Sequence, residues 1–195
     1  MIDERFSKQI QFILEIDKEK NISRQTSLTN HGRKENDAEH AWHMAIMVYL
    51  LKEYANENFD LSKAMLMALI HDVVEIDAGD AYAYDSTALA SQREKEVLAA
   101  DRIFGLLPSD QKQDLIAIFE EFEKGESAEA RFVRAMDNFQ PLLLNNSNGG
   151  SDWVEHGVTK QQVYERQKRN EKGSKLVWEY TKQLIELNAK RGSLK

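Results

Sequence analysis

Only Pro108 and Pro141 interrupt the supply of backbone donors in this chain of 195 residues. Proline removes an N–H and clashes with the preceding helical turn. Long proline-free stretches of Ala, Leu, Met, Glu, Lys and Gln are therefore free to run as helix, and nine glycines leave few breaks. Strand signals are nearly absent, so the expected fold class is all-α, with residues 1–195 forming one domain. Phe6, Ile10, Ile13 and Leu14 mark a first helix ending near Lys20, followed by a polar loop from Asn21 to Asn36. Asp37 is read as the cap of a second helix reaching about Asn58, and Asp60 as the cap of a third running toward His71. Both look largely buried. Ala78-Gly79-Asp80 breaks the third, and a loop through Tyr84 and Asp85 leads to a helix from about Gln92 to Leu106. Pro108 starts the next, through about Lys124. Ser127 to Asn145 reads as a helix that Pro141 kinks or ends, followed by a flexible Asn145–Ser151 loop that is a candidate substrate lid. Helices near Thr159–Glu171 and Ser174–Ala189 complete the chain, packed on the domain or at a dimer interface.

Composition excludes several chemistries. With no cysteine, disulfides, thiolate nucleophiles, iron–sulfur clusters and thiolate zinc sites are impossible, so any metal must use imidazole and carboxylate ligands. The absence also fits a reducing cytoplasm. The net charge of −7, with histidines neutral, and the lack of a Lys/Arg-rich block argue against nucleic acid as a partner. The longest apolar runs, Ala45–Leu51 and Ala64–Ile70, are far too short for a membrane span, and Met1-Ile2-Asp3-Glu4-Arg5 lacks the order of a signal peptide. The expectation is a soluble intracellular protein.

Leu69-Ile70-His71-Asp72-Val73-Val74-Glu75 puts three ionisable residues at the end of an almost wholly apolar helix. Burying a carboxylate costs several kcal/mol, of that order, unless it is paired, hydrogen-bonded or bound to a metal. Helical spacing lets all three face one cavity. From spacing alone, a core histidine hydrogen-bonded to a helix-end aspartate fits as well as a metal site. Two further segments bring candidate ligands: Asp37-Ala38-Glu39-His40 early in one apolar helix, and Arg134-Ala135-Met136-Asp137 within another.

His40, the His71-Asp72 pair and Asp137 resemble the signature of the HD-domain phosphohydrolases. Arg33-Lys34-Glu35-Asn36-Asp37-Ala38-Glu39-His40 and His71-Asp72-Val73-Val74-Glu75-Ile76-Asp77-Ala78-Gly79-Asp80 are similar to the branch containing the bacterial 5'-deoxynucleotidases, over nearly the whole chain. The resemblance implies an HD-type helical domain in which His40, His71, Asp72 and Asp137 bind one divalent metal ion. It also implies Glu75 as general acid/base, with Arg24, Arg33 and Asp80 binding substrate. Such mixed nitrogen and oxygen ligands leave Mn, Co, Fe, Ni, Zn and Mg open. The implied activity is metal-dependent removal of phosphate from a small nucleotide, a (deoxy)nucleoside 5'-monophosphate first. The alternatives are another phosphate ester, a nucleoside triphosphate, or a sensor without turnover. A homodimer is implied, to which Leu176, Val177, Tyr180, Leu184 and Ile185 contribute unless they pack internally. The chain departs from the pattern in one place: the aromatic residue that usually follows the phosphate-contacting arginine is replaced by Gln25-Thr26 after Arg24.

Four other groups of residues have simpler expectations. His43 and Glu39 are read as core residues or supports of the ligands. His31 and His156 belong on the surface. Met44, Met47, Met65 and Met67 fill the core, and Trp42, Trp153 and Trp178 are packing residues.

Overall fold

The computed structural model describes residues 2–84 and 86–195, and side chains outside 86–91. Eleven α-helices and one small hairpin are seen among the described residues. Helix α1 (Glu4–Ile16) is capped by Asp3 and runs into a 3₁₀ turn, Asp17–Asn21. Next come β1 (Ser23–Ser27) and β2 (Lys34–Asn36), then α2 (Asp37–Leu51) and α3 (Leu61–Ile70). The short α4 (Glu75–Ala78) precedes α5 (Ser86–Phe104), α6 (Ser109–Lys124) and α7 (Ala128–Ser147). The chain closes with α8 (Ser151–Glu155), α9 (Lys160–Gln167), α10 (Asn170–Gly173) and α11 (Lys175–Arg191).

Two cores position the site. Met44, Val48, Ala64, Met67, Phe132, Val133 and Met136 join α2, α3 and α7 in one. Phe12, Val73, Val74, Ile103, Phe104 and Phe119 join α1, the segment after α3, α5 and α6 in the other. The chain crosses between them at residues 70–73, which places His71 and Asp72 on the seam. There the helical path tightens: Val73 N–H reaches the Ile70 carbonyl and Glu75 N–H the Asp72 carbonyl, before Gly79 at φ 78° ends α4. His71, Asp72 and Glu75 thus do not share one regular helix.

The polar stretch expected as a loop is an antiparallel hairpin, with Ser23 opposite Asn36 and Ser27 opposite Lys34. It lacks the alternation that signals a strand because polar clamps, not an apolar face, hold it. Asp152 accepts from Ser27 N–H (2.8 Å), Ser27 Oγ–H (2.8 Å) and Lys34 Nζ (3.0 Å). The side-chain amide of Asn148 donates to the carbonyls of Ser27 and Leu28 and accepts from His31 N–H.

Those clamps also correct the Asn145–Ser151 expectation. Helix α7 continues through Pro141 to Ser147, and Asn145 and Asn148 are buried. A Cβ at Gly150 would stand 2.5 Å from that of Ser193, so this is a packed turn and not a lid. Asn36, not Asp37, caps α2, through a reciprocal pair with Glu39. That helix ends at Leu51 rather than near Asn58, and α5 starts at Ser86 rather than Gln92. Asp85, in the expected loop before α5, lies outside the described residues. Trp42 is 63% exposed, whereas Trp153 and Trp178 are packed inside. Helices α9, α10 and α11 pack on α7: Gln167 Nε2 donates to the Asn138 carbonyl, and Gly173 lies against Arg131 and Ala135. Among the described residues no helix is long and apolar enough to cross a membrane.

Candidate metal centre and active site

Four acceptor atoms converge where α2, the end of α3 and α7 meet. His40 Nε2 lies 3.2 Å from Asp137 Oδ1 and 4.0 Å from Asp72 Oδ2. His71 Nε2 lies 3.0 Å from Asp72 Oδ2 and 3.8 Å from Asp137 Oδ1. Both imidazoles are buried, and their rings stand 5.5 Å apart.

The tautomers follow from what the other ring nitrogens touch. His71 Nδ1 is 2.9 Å from the Ala68 carbonyl, an acceptor, so Nδ1 carries the proton. His40 Nδ1 is 3.1 Å from Gln140 Oε1, while Gln140 Nε2 donates to the Glu35 carboxylate (2.8 Å). A carboxylate only accepts, so the amide cannot be turned round, and His40 also has its proton on Nδ1. In the neutral rings both Nε2 lone pairs therefore face carboxylate oxygens. His71 Nε2 has no hydrogen-bond partner despite its 3.0 Å neighbour. Such a set calls for a cation. Ligand atoms about 2.1 Å from one ion stand roughly 3.0–3.5 Å apart; the separations of 3.0 and 3.2 Å fall in that range and those of 3.8 and 4.0 Å are wider.

The electrostatics carry the same message. Burial opposes charge on Asp72, but His71 and Arg24 hold its carboxyl well below the usual range. Burial opposes the His71 imidazolium too, yet Asp72 lifts its pKa to about 9. Asp137 is likewise buried, and the His40 hydrogen bond brings it down to about 2. Cationic partners are what keep these carboxylates ionised.

Glu75 lies beside them. It groups with Asp37 and Asp72, with one oxygen from each within 4.8 Å of the others. Burial, then Asp72 and Asp37, pushes its carboxyl well above the ordinary glutamate value, and Oε2 has no partner. Arg24 on β1 supplies positive charge to this second group, reaching Asp37 Oδ1 at 3.0 Å and Asp72 Oδ2 at 2.7 Å.

Arg24, Asp72, Glu75, Asp80 and Asp137 line one cavity of about 200 Å³. Tyr82, Tyr84, Gln92, Asn145, Trp153 and Arg166 complete much of its wall. Arg33 is not among these residues. It is largely exposed and forks onto Glu39 at the surface, so a strong local ion pair takes up the guanidinium expected to meet substrate. Glu39 is correspondingly a helix cap and surface partner, not a support of the ligands. His43 Nδ1, by contrast, accepts from Gln140 Nε2 at 3.1 Å, one step behind His40. The sequence reading missed Gln140 and Arg166. A fully buried glutamine one turn after Asp137 was a usable signal for the first; nothing local marked the second.

A sequence model described as the HD domain matches residues 16–178. The human protein named 5'-deoxynucleotidase HDDC2 (Homo sapiens) is 31% identical over 114 residues, which is 58% of this chain and 54% of that one. This chain thus spans about half the length of the curated relatives it matches. A crystal structure of a protein from Magnetospirillum magnetotacticum, described as a predicted metal-dependent phosphohydrolase, superposes with a TM-score of 0.95 at 46% identity. The match covers 100% of this chain and 99% of that one. A conserved hypothetical protein from Pyrococcus furiosus shares the fold at a TM-score of 0.60 and 20% identity, covering 93% of this chain and 99% of that one.

Proposed function

The chain belongs to the HD domain family, and on that premise we propose that it is a metal-dependent phosphohydrolase acting on a deoxynucleoside 5'-monophosphate. The observation that carries the reading is the convergence of His40 Nε2, His71 Nε2, Asp72 Oδ2 and Asp137 Oδ1 beside Glu75, whose Oε2 has no partner. These four atoms would hold one divalent ion. When bound, the ion supplies Lewis-acid activation of water and of a phosphate oxygen, so no protein nucleophile is required. The relatives named 5'-deoxynucleotidases support the substrate class.

The chain's own residues divide the remaining work. Glu75, whose carboxyl burial and then Asp72 and Asp37 push well above the ordinary glutamate value, stands at the edge of the cavity. It acts as general acid/base: as water adds to phosphorus and the ester P–O bond breaks, the leaving sugar oxygen takes a proton and nucleoside and inorganic phosphate part. Arg24 holds Asp72 and Asp37 in place and sets a positive charge in the wall where phosphate enters. Asp80 lines the same cavity, where a sugar hydroxyl can meet it. A cavity of about 200 Å³ and a net charge of −7 suit a small metabolite better than a nucleic acid.

The reading includes a homodimer and a cytoplasmic location. The C-terminal helix turns Val177, Leu184 and Ile185 inward, leaving Leu176 and Tyr180 outside. Phe6 and Ile13 of α1 share an apolar groove with Leu66 of α3, and Leu69 of α3 and Trp42, Ile46 and Leu50 of α2 are exposed as well. Exposed apolar groups of this kind suit an interaction face.

The test is product analysis on metal-reloaded protein with ribo- and deoxynucleoside mono- and triphosphates. The reading expects phosphate released from monophosphates, deoxy forms preferred. Release of tripolyphosphate from triphosphates would move the activity to another class, and stoichiometric metal without turnover would favour a sensor.

A further inference from the structure

The cavity does not end at the sugar-binding side. Its wall also includes Tyr82, Tyr84, Trp153 and Arg166, from three separate parts of the chain. Arg166, Tyr82 and Tyr84 thus share one cavity with Asp80 and with Asp72 and Asp137 of the metal centre.

The two arginines of the wall are in different states. Arg24 is already held by carboxylates, at 3.0 Å and 2.7 Å. Arg166 makes no ion pair among the described residues and is half-buried in the wall. The rings beside it are ordered against one another, Tyr82 and Tyr84 edge to face at 5.5 Å and Tyr82 against His156 at 4.7 Å. Aromatic faces stack on any nucleobase. A guanidinium fork is more selective, because it donates two parallel hydrogen bonds and needs two acceptors side by side. Guanine presents O6 and N7 in that pattern, whereas adenine presents a donor beside N7.

We propose that Arg166, with Tyr82, Tyr84 and Trp153, forms the nucleobase subsite of this cavity and selects guanine over adenine. The inference rests on the nucleotidase reading, which puts the phosphate at the metal centre of the same cavity.

The test compares dGMP and dAMP in two ways, by turnover and by equilibrium binding to the Mn-loaded E75Q protein, each with and without Arg166→Lys. Lysine keeps the charge and loses the fork. The expected result is a preference for dGMP of about tenfold in the parent, falling toward one in the lysine variant, and carried by KM more than by kcat. Equal binding of the two nucleotides in the parent, or a preference that survives Arg166→Lys, overturns the subsite. Binding preference without turnover of any nucleotide would leave the subsite standing and remove the nucleotidase reading.

Discussion

Gln140 and His40, a hundred residues apart in the chain, are joined by a 3.1 Å contact that fixes which imidazole nitrogen is free. The glutamine is itself fixed, since its Nε2 donates to the buried Glu35 carboxylate and to His43 Nδ1. A metal ligand is thereby aimed by a glutamine whose own orientation is set by a carboxylate.

Gln140→Met keeps the volume close and removes the amide. Partners of this kind typically contribute 10–100-fold to metal affinity, so a loss of about that size is expected. Chelator competition measures it. Unchanged affinity would show that packing alone orients His40.

Glu75→Gln removes the transferable proton while keeping the shape. It should leave metal content unchanged and lower kcat by about 10²–10⁴-fold. Elemental analysis and steady-state kinetics on the same sample separate the two effects. Loss of metal would make Glu75 a ligand instead.

Legibility differed between the ligands and their surroundings. His71-Asp72 stood out because an apolar helix ends there in charge, and Asp60 does cap α3 by accepting from Lys63 N–H. The hairpin was invisible because its holding contacts, Ser27 to Asp152 and Asn148 to Leu28, span more than a hundred residues. Arg33 misled for a local reason, since its charge is spent on Glu39 six residues away. Phe6, Ile10, Ile13 and Leu14 did mark a first helix, but Phe6, Ile13 and Leu14 are exposed and Phe12 is the buried residue. Periodicity names an apolar stripe without naming what covers it.

Asp152→Ala should detach the hairpin that carries Arg24. It leaves Ser27 N–H, Ser27 Oγ–H and Lys34 Nζ without their acceptor, a cost of about 1–3 kcal/mol read as a lower Tm. Burial resists ionisation of Asp152, but these donors hold its folded pKa below the ordinary aspartate value. A depressed carboxyl pKa stabilises above the unfolded value, about 3.9, and that part is lost as pH falls through the folded one. The Tm gap between parent and variant should therefore be full at neutral pH and shrink in acid below about pH 4. A gap independent of pH would rule out the ionised clamp.

Ile13→Glu combined with Trp42→Glu places charge on the exposed face of α1 and α2. Sedimentation should shift from dimer to monomer, because an unpaired charge in an interface is strongly unfavourable. A dimer that persists would move the interface elsewhere.

The central claim is that one ion held by His40, His71, Asp72 and Asp137 turns over a deoxynucleoside 5'-monophosphate. Metal-stripped protein titrated with Mn, with phosphate release followed throughout, tests it most directly, with Asp72→Asn as the control. The account predicts activity rising from near zero to a plateau at one ion per chain, and none in the variant. Undiminished turnover by the stripped protein, or by Asp72→Asn, would contradict it.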